Sequence, residues 1–287
     1  MHRDADPSGG SGLMATVQPF MPLPRQSTRY IGRDDAVRDV AALLESQRLV
    51  TLTGTGGIGK TRLALEVAAT AYSRFPAGVF VVELARTSDP EAVPALVAGA
   101  LGVQLRADDD LPRMVANIVH QPLLLILDNC EHLIEACASV AQHLIEGTRW
   151  VSILATSRES LAILGEQLLP ISRLTVPSKM LSDVRALMAT ESVELFVDRA
   201  QMRNPLFQLT PDNAPAIRDI CRRLDGIPLA IELAAAHVRT LSPVDILARL
   251  NDRLTLPKGP YRGVHARQRT LRALFDWSYD LLTQAVS

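Results

Sequence analysis

One short glycine-rich segment constrains the fold of this 287-residue chain more than any other feature. The segment, residues 54–61, reads GTGGIGKT and fits the pattern G-x-x-x-x-G-K-[ST] at every fixed position. A short β-branched run, residues 49–53, precedes it, and an apolar face with helical spacing follows over residues 63–71. A strand, a glycine-rich turn and a helix in this order predict a phosphate-binding loop within an α/β domain.

The chemistry of phosphate binding explains these residue types. Glycines let the backbone fold around a phosphate with its N–H groups pointing inward. The helix that begins near Lys60 adds the positive end of its dipole. Lys60 would reach the β- and γ-phosphates, and the Thr61 hydroxyl would ligate magnesium. The residues expected to bind nucleotide in this segment are Gly54, Gly56, Gly57, Ile58, Gly59, Lys60, Thr61 and Arg62.

The rest of the chain predicts an α/β domain followed by a helical one. Strands are expected at 79–84, 123–127, 151–155 and 168–171, and helices near 34–44, 91–101, 111–120 and 133–146. This alternation implies right-handed crossovers and a parallel sheet with helices on both faces. Further helices are expected at 190–203, 212–223, 229–240 and 243–250. The predicted organisation is a flexible leader (1–28), a P-loop domain (29–176), a helical subdomain (177–256) and a C-terminal linker region (257–287).

Composition excludes several classes of protein. The formal net charge of -1 provides no global field that would attract nucleic acid or anionic lipid. No apolar run approaches the roughly 20 residues of a membrane helix, and the N-terminus lacks a signal-peptide pattern. The three cysteines match no metal template and are expected to be reduced, buried hydrophobic residues. We expect a soluble cytoplasmic protein without a membrane partner.

An acidic residue ends the apolar run 123–127. Asp128 would lie at the carboxyl end of a buried parallel strand, where ligands bind in open α/β folds. It is expected to hold magnesium, through water, together with Thr61. Many P-loop hydrolases place a water-activating carboxylate directly after this acid, but here that position is Asn129. Glu131 could substitute, although a solvated loop or helix-cap role remains the alternative.

A polar triplet, residues 156–158, follows the strand predicted at 151–155 and faces the same edge of the sheet. Its arginine, Arg158, could contact the γ-phosphate and report whether that phosphate is present. The alternative is a surface arginine that pairs with Glu159 or another acid.

Six segments, which follow one another along the chain in the same order as in the family, resemble the STAND class of signalling P-loop ATPases. More narrowly, they resemble the NB-ARC-like ATPase modules of bacterial LuxR/AfsR-type transcriptional regulators. The segments are the P-loop, residues 30–33, 125–133, 155–159 and 225–236, and residues 270–272 together with 276–282. The resemblance implies that Ile31, Gly32 and Arg33 lie against the adenine and that Pro228 packs on the bound nucleotide. It also implies that Arg158 is the γ-phosphate sensor.

The resemblance implies an ATP/ADP-dependent switch with magnesium as cofactor, in which Lys60, Asp128 and Arg158 carry the chemistry. Hydrolysis is expected to be slow because Asn129 supplies no base. Two alternatives stay open: a vestigial nucleotide-binding or protein-interaction module without turnover, and a metabolic P-loop kinase. The kinase would need an acceptor pocket and a lid arginine, for which the sequence offers no clear candidate.

The family pattern continues beyond the last residue of this chain, Ser287. A whole winged helix, often followed by helical repeats and a DNA-binding helix-turn-helix, belongs to that pattern. The expectation is therefore an incomplete winged-helix subdomain and no direct DNA binding by this chain. Protein partners would be contacted through the helical and winged-helix parts. The basic stretch 258–272 is interpreted as a solvated linker rather than a nucleic-acid contact.

Overall fold

A computed structural model describes residues 27–104 and 110–254 of the chain. The predicted leader up to residue 26 and the predicted linker and winged-helix region from 257 onward lie outside the described residues. The described part divides into two compact units that alternate along the sequence. The first unit comprises residues 40–51 and 67–168, and the second comprises residues 27–39, 52–66 and 169–254. The domain boundaries predicted above stay a prediction.

Five strands form the sheet, in the order β2-β3-β4-β1-β5. The strands are β1 (Leu49–Thr53), β2 (Gly78–Glu83), β3 (Leu123–Asp128), β4 (Val151–Ser157) and β5 (Glu166–Pro170). Strands β2 and β3 pair in parallel, and so do β3 and β4. Every residue of β3 is buried, as expected for a central strand with both faces covered. The predicted α/β fold with a parallel sheet and flanking helices is confirmed.

Alternating residues of the strands build the core of the first unit. Phe80 and Val82 of β2, and Leu125 and Leu127 of β3, lie in one buried cluster. That cluster also contains side chains from the helices α3 (Ala92–Ala100), α4 (Leu111–Ile118) and α5 (Ile134–Gly147). Full burial of each large aliphatic side chain contributes about 1.5–3 kcal/mol relative to exposure. The intervening residues of these strands, Val81 and Ile126 among them, therefore belong to the opposite face of the sheet.

Five helices form most of the second unit beyond residue 176. They are α6 (Val184–Met188), α7 (Glu191–Arg203), α8 (Ala214–Arg223), α9 (Pro228–Ala235) and α10 (Pro243–Leu254). Their inward faces share one buried cluster, with Phe196, Ile217, Ile231 and Ile246 among its fully enclosed members. Helices α1 (Asp34–Ser46) and α2 (Lys60–Thr70) each cross a unit boundary along the chain.

Two helical elements differ from the sequence prediction. The helix predicted over 229–240 ends at Ala235, and a tighter 3-10 turn, Ala236–Arg239, follows it. The next helix begins at Pro243, as predicted, because Ser242 and Asp245 cap it reciprocally, with the Asp245 N–H donating to Ser242 Oγ at 3.2 Å. Helix α6 was not predicted, because five residues are too few to establish a period.

Within the described residues, no helix combines the length and the apolar composition that a membrane crossing requires.

Candidate functional site

The glycine-rich loop follows β1 and leads into α2 in the second unit, as the sequence predicts. Gly57 and Gly59 adopt φ angles of 75° and 92°, in the left-handed region that glycine tolerates. A Cβ on Gly57 would lie 3.1 Å from the side chain of Leu229, and one on Gly59 would lie 3.2 Å from Arg33 Nη1. The loop is therefore shaped by backbone conformation and by close neighbours on two sides.

Lys60 is the first residue of α2 and is buried, with 8% of its surface exposed. Its ammonium group donates to Gly54 O at 2.9 Å and to Thr55 O at 3.4 Å. The positive charge is thereby held against the glycine-rich loop, at a helix N-terminus that itself favours anions. Thr61 is exposed at the next position. Gly54, Gly56, Ile58 and Arg62 complete the segment around these two residues.

Arg33 connects the 30–33 motif to the P-loop within the second unit. Its backbone N–H donates to Glu191 Oε1 at 2.8 Å, and its Nη1 donates to Ile58 O at 2.6 Å. Burial lowers the pKa of the Arg33 guanidinium. Among the described residues, the buried Nε and Nη2 atoms of Arg33 have no hydrogen-bond acceptor. Arg33 thus holds two enclosed donors beside the P-loop.

Two neighbouring side chains also have buried polar atoms without a hydrogen-bond partner among the described residues. The Tyr30 hydroxyl and Arg62 Nε are buried without a partner in the described part of the chain. Arg62 also donates from Nη1 to Thr28 Oγ1 at 2.5 Å, which fixes its guanidinium. Burial raises the pKa of Tyr30 to about 12. Buried polar groups normally have partners, so this group of unsatisfied atoms fits a polar ligand such as a nucleotide.

The segment 225–236, called the GxP segment after its Gly226-Ile227-Pro228 sequence, contacts the P-loop directly in the second unit. The Leu229 N–H, in the first turn of α9, donates to Gly57 O at 3.2 Å. Pro228 is the first residue of α9, and its Cγ would lie 3.9 Å from a Cβ on Gly59. The start of α9 and the glycine-rich loop are therefore in contact, and the packing of Pro228 on a bound nucleotide stays a prediction.

Glu191, the first residue of α7, was missed by the sequence reasoning. Besides the Arg33 N–H, its carboxylate accepts the Thr175 N–H at 2.7 Å. A Cβ on Gly32 would lie 2.6 Å from Glu191 Oε1, so the residue at 32 must be glycine for the carboxylate to fit. Ile31, next to it, is buried in the helical core. No motif identifies Glu191, because its partners are 16 and 158 positions away in the sequence.

Asp128 lies at the end of β3 in the first unit and is 8% exposed. Its Oδ1 accepts a hydrogen bond of 2.6 Å from the Thr156 hydroxyl at the end of β4. That hydroxyl in turn accepts the Asn129 N–H at 2.9 Å. Asn129 has a left-handed backbone with φ 68°, which turns the chain sharply after the strand. The carboxylate that was predicted to hold magnesium is therefore oriented by the neighbouring strand.

Arg158 pairs with Glu131 in this structure. The Arg158 Nε to Glu131 Oε1 distance is 3.0 Å, with side-chain exposures of 59% and 14%. Glu131 Oε2 is buried and has no partner in the described ranges. Arg158 therefore pairs with an acid, which is the alternative considered above for this residue. Glu131 is largely buried and is not a solvated loop residue. Both side chains line an open cavity of about 460 Å³, together with Arg86, Asn129 and His132.

Each unit, taken by itself, contains residues of the types that bind phosphate or a divalent cation. The second unit contains a glycine loop, a buried lysine and unsatisfied donors on Arg33. The first unit contains a carboxylate oriented at the carboxyl end of a parallel strand, where open α/β sheets bind ligands. These features, together with the parallel sheet, define the chain as a protein of the P-loop NTPase-like class.

Comparison with known proteins agrees with this class. The family model described as "AAA domain" matches residues 43–164. The chain is 44% identical over 247 residues to Rv0890c of Mycobacterium tuberculosis, which is named as an HTH-type transcriptional regulator. That match covers 85% of this chain but only 26% of Rv0890c. A solved structure, the Walker-type ATPase PABY2304 of Pyrococcus abyssi, matches with a TM-score of 0.50 and 14% identity, over 82% of this chain and 76% of that one.

A second relative shows the family. The chain is 37% identical to the uncharacterised protein Rv0894 of Mycobacterium tuberculosis, over 98% of this chain and 70% of Rv0894. The chain therefore belongs to the same family as Rv0894, and its residues 43–164 match the AAA-domain model.

Proposed function

We propose that this chain is a nucleotide-dependent switch module of a bacterial transcriptional regulator, controlled by ATP and ADP, with slow magnesium-dependent hydrolysis. The observation that carries the proposal is the hydrogen bond from Leu229 N–H to Gly57 O within the second unit. It couples the helical GxP segment to the loop that would surround the phosphates. A change in that loop is therefore transmitted directly to α9.

The proposal gives each site residue a role. Lys60 and the backbone N–H groups of residues 56–61 bind the phosphates. Arg33 Nε and Nη2, which have no acceptor within the described ranges, bind the base. Thr61 and Asp128 are the magnesium ligands, an assignment that rests on their motifs. Bound magnesium would neutralise phosphate charge. Arg158 leaves Glu131 to contact the γ-phosphate. Breaking this pair leaves the Glu131 carboxylate, which is only 14% exposed, without its cation, so the contact of Arg158 with the γ-phosphate must offset that loss.

The switch works through a difference in affinity. A nucleotide shifts the equilibrium between two arrangements only if it binds them with different free energies. A tenfold preference corresponds to about 1.4 kcal/mol. A single charge-assisted hydrogen bond to the γ-phosphate, worth about 1.5–3 kcal/mol, is sufficient for such a preference. The γ-phosphate contact of Arg158 would therefore distinguish ATP from ADP.

The proposal also states where the module acts and which kind of partner receives its signal. It acts in the cytoplasm and transmits its state to other protein domains through its helical part, without contacting DNA itself. The regulator Rv0890c extends well beyond the matched segment, since the chain spans 26% of it. A partner domain in such a protein would receive the signal.

The test measures binding and conformation together. Calorimetric titration should show ADP and ATP binding to the wild type, and Lys60→Ala should weaken both by about 100-fold or more. Lys179→Ala, an exposed lysine of the second unit, should leave both affinities unchanged.

Hydrogen exchange should then separate the two nucleotides. Amide protection over residues 225–231 should differ between the ATP-bound and ADP-bound forms. Tight binding of both nucleotides with identical protection would contradict the switch and favour a vestigial module. Turnover that rises when a small-molecule acceptor is supplied would favour a kinase.

A further inference from the structure

Two segments of the second unit hold neighbouring carbonyl groups of the glycine-rich loop. Arg33 Nη1 donates to Ile58 O at 2.6 Å. The Leu229 N–H, at the start of α9, donates to Gly57 O at 3.2 Å. Because Gly57 and Ile58 are adjacent, any structure that joins the two donor segments to each other also restrains the loop between them.

The segment that follows β5, residues 171–176, is bonded to the GxP segment. The Leu174 N–H donates to Gly226 O at 3.0 Å, and Arg173 forms an ion pair with Asp225. Gly226 has a φ of 66°, and a Cβ there would lie 2.2 Å from Leu174 O. The two segments therefore approach each other more closely than any residue other than glycine at position 226 would allow.

Glu191 joins this segment to Arg33. Its Oε1 accepts the Arg33 N–H at 2.8 Å, and its Oε2 accepts the Thr175 N–H at 2.7 Å. The Glu191 N–H donates in return to Thr175 Oγ1 at 3.3 Å. One carboxylate thus completes a ring of contacts that runs from the glycine-rich loop through Arg33, Glu191 and the GxP segment back to the loop.

The backbone conformation of Arg33 depends on such a contact. Its φ of 62° lies in the left-handed region, which is unfavourable for a long side chain. A residue remains in this region only where its surroundings fix it, and the hydrogen bond from the Arg33 N–H to Glu191 does so. Gly32 provides the space, since the three atoms nearest to a Cβ at that position all belong to the Glu191 side chain.

Charge acts in the same direction. Burial lowers the pKa of the Arg33 guanidinium, and the nearby Glu191 carboxylate opposes that shift by favouring the charged form. The guanidinium carries two buried donors, Nε and Nη2, for which the described ranges offer no acceptor. Glu191 therefore influences both the position and the charge of the group that presents these donors.

We propose that Glu191 is a positioning residue for nucleotide binding, which holds Arg33 against the P-loop and links it to the GxP segment. The inference rests on the proposed function, in which Arg33 binds the base. Glu191 acts through Arg33 and does not itself contact the nucleotide. Nucleotide affinity should therefore depend on the first residue of helix α7.

A double-mutant cycle in nucleotide affinity tests this role. Glu191→Gln keeps the size of the side chain, but its amide NH2 must face one of the two N–H donors. A hydrogen bond to a charged group corresponds to about ten- to hundredfold in affinity, so calorimetry should show ATP and ADP binding weakened by about tenfold or more. Glu194→Gln, in the same turn of α7, is the matched control and should bind both nucleotides like the wild type.

The second arm of the cycle separates positioning from general support of the fold. Arg33→Ala removes the guanidinium but keeps the N–H that Glu191 accepts. If Glu191 acts through Arg33, then adding Glu191→Gln to Arg33→Ala should change either dissociation constant by less than about twofold. A residue that only supports the fold would weaken binding equally in both backgrounds. Circular dichroism melting curves ensure that each variant is folded at the temperature of the titration.

A second variant covers the case in which Glu191→Gln does not fold. Glu191→Asp keeps the charge at the start of α7 but is one methylene too short to reach both N–H donors. It should show the same dependence on Arg33.

The outcomes are distinct. Unchanged dissociation constants in Glu191→Gln and Glu191→Asp, with weakened binding in Arg33→Ala, would overturn the inference and leave the proposed function intact. Equal weakening with and without the Arg33 guanidinium would overturn the action through Arg33. A wild type that binds neither ATP nor ADP would overturn the proposed function as well.

Discussion

The hydroxyl of Thr156 offers a direct test of how the first unit holds its magnesium acid. Thr156 is 1% exposed, donates to Asp128 Oδ1 at 2.6 Å and accepts the Asn129 N–H at 2.9 Å. Thr156→Val keeps the shape of the side chain and its β-branch but replaces the hydroxyl by a methyl group. The substitution therefore removes two hydrogen bonds without creating a cavity.

The expected loss follows from these two contacts. A hydrogen bond to a charged group contributes about 1.5–3 kcal/mol, and the site is too enclosed for water to replace it. The Asn129 N–H lies in a half-buried turn, so the loss of its hydrogen bond to the Thr156 hydroxyl lowers the free energy of unfolding by only about 1 kcal/mol. Asp128 retains other interactions, which limits the total. We expect the free energy of unfolding to fall by about 2–4 kcal/mol.

Urea denaturation of the nucleotide-free protein, followed by circular dichroism, measures this loss. Thr156→Ser is the matched control, because it keeps the hydroxyl and should lose only the packing of one methyl group, about 1 kcal/mol. In the presence of magnesium, the valine variant should also bind ATP more weakly than the serine variant. A valine variant as stable as the serine variant would refute the reasoning that this hydroxyl positions Asp128.

Further predictions concern the second unit. Glu191→Ala removes the acceptor of two backbone N–H groups and should lower the free energy of unfolding, measured in urea, by about 2–3 kcal/mol. Glu194→Ala, in the same helical turn, is the control: it loses only an ion pair and should lower that free energy by less than about 1 kcal/mol. Tyr30→Phe removes a buried hydroxyl without a partner among the described residues and should raise nucleotide-free stability by about 1 kcal/mol in the same assay. Burial, with Arg249 nearby, lowers the pKa of His237, so its neutral form is favoured in the fold. Melting temperatures should therefore fall more steeply below pH 6.5 in the wild type than in His237→Gln, and equal slopes would contradict this.

The parts of the molecule that could be predicted are those encoded by neighbouring residues. The P-loop is a continuous run, so the positions of Gly57, Gly59 and Lys60 follow from their own sequence and from the flanking strand and helix. Asp128 was placed correctly at a strand end because its strand is an unbroken apolar run. The periods of the helices likewise predicted the second unit, apart from the short helix α6 and the early end of α9.

Long-range pairing accounts for what the sequence did not reveal. Glu191 holds Arg33 across 158 positions, and Thr156 reaches Asp128 across 28. No local pattern marks Glu191, since an isolated glutamate is common on any surface. The triplet 156–158 indicates the edge of the sheet but not the hydrogen bond from Thr156 to Asp128. Glu83 becomes a neighbour of Asp128 only once the register of β2 and β3 is known. These contacts depend on how distant segments pair, which spacing along one sequence does not determine.

The nucleotide content of the purified protein tests the central claim most directly. The protein would be purified without added nucleotide, denatured, and the released material identified by ion-exchange chromatography, with Lys60→Ala and Lys179→Ala in parallel. The account predicts bound ADP or ATP close to one per chain in the wild type and in Lys179→Ala, and its loss in Lys60→Ala. A folded wild type that is empty and takes up neither ATP nor ADP when they are supplied would contradict it.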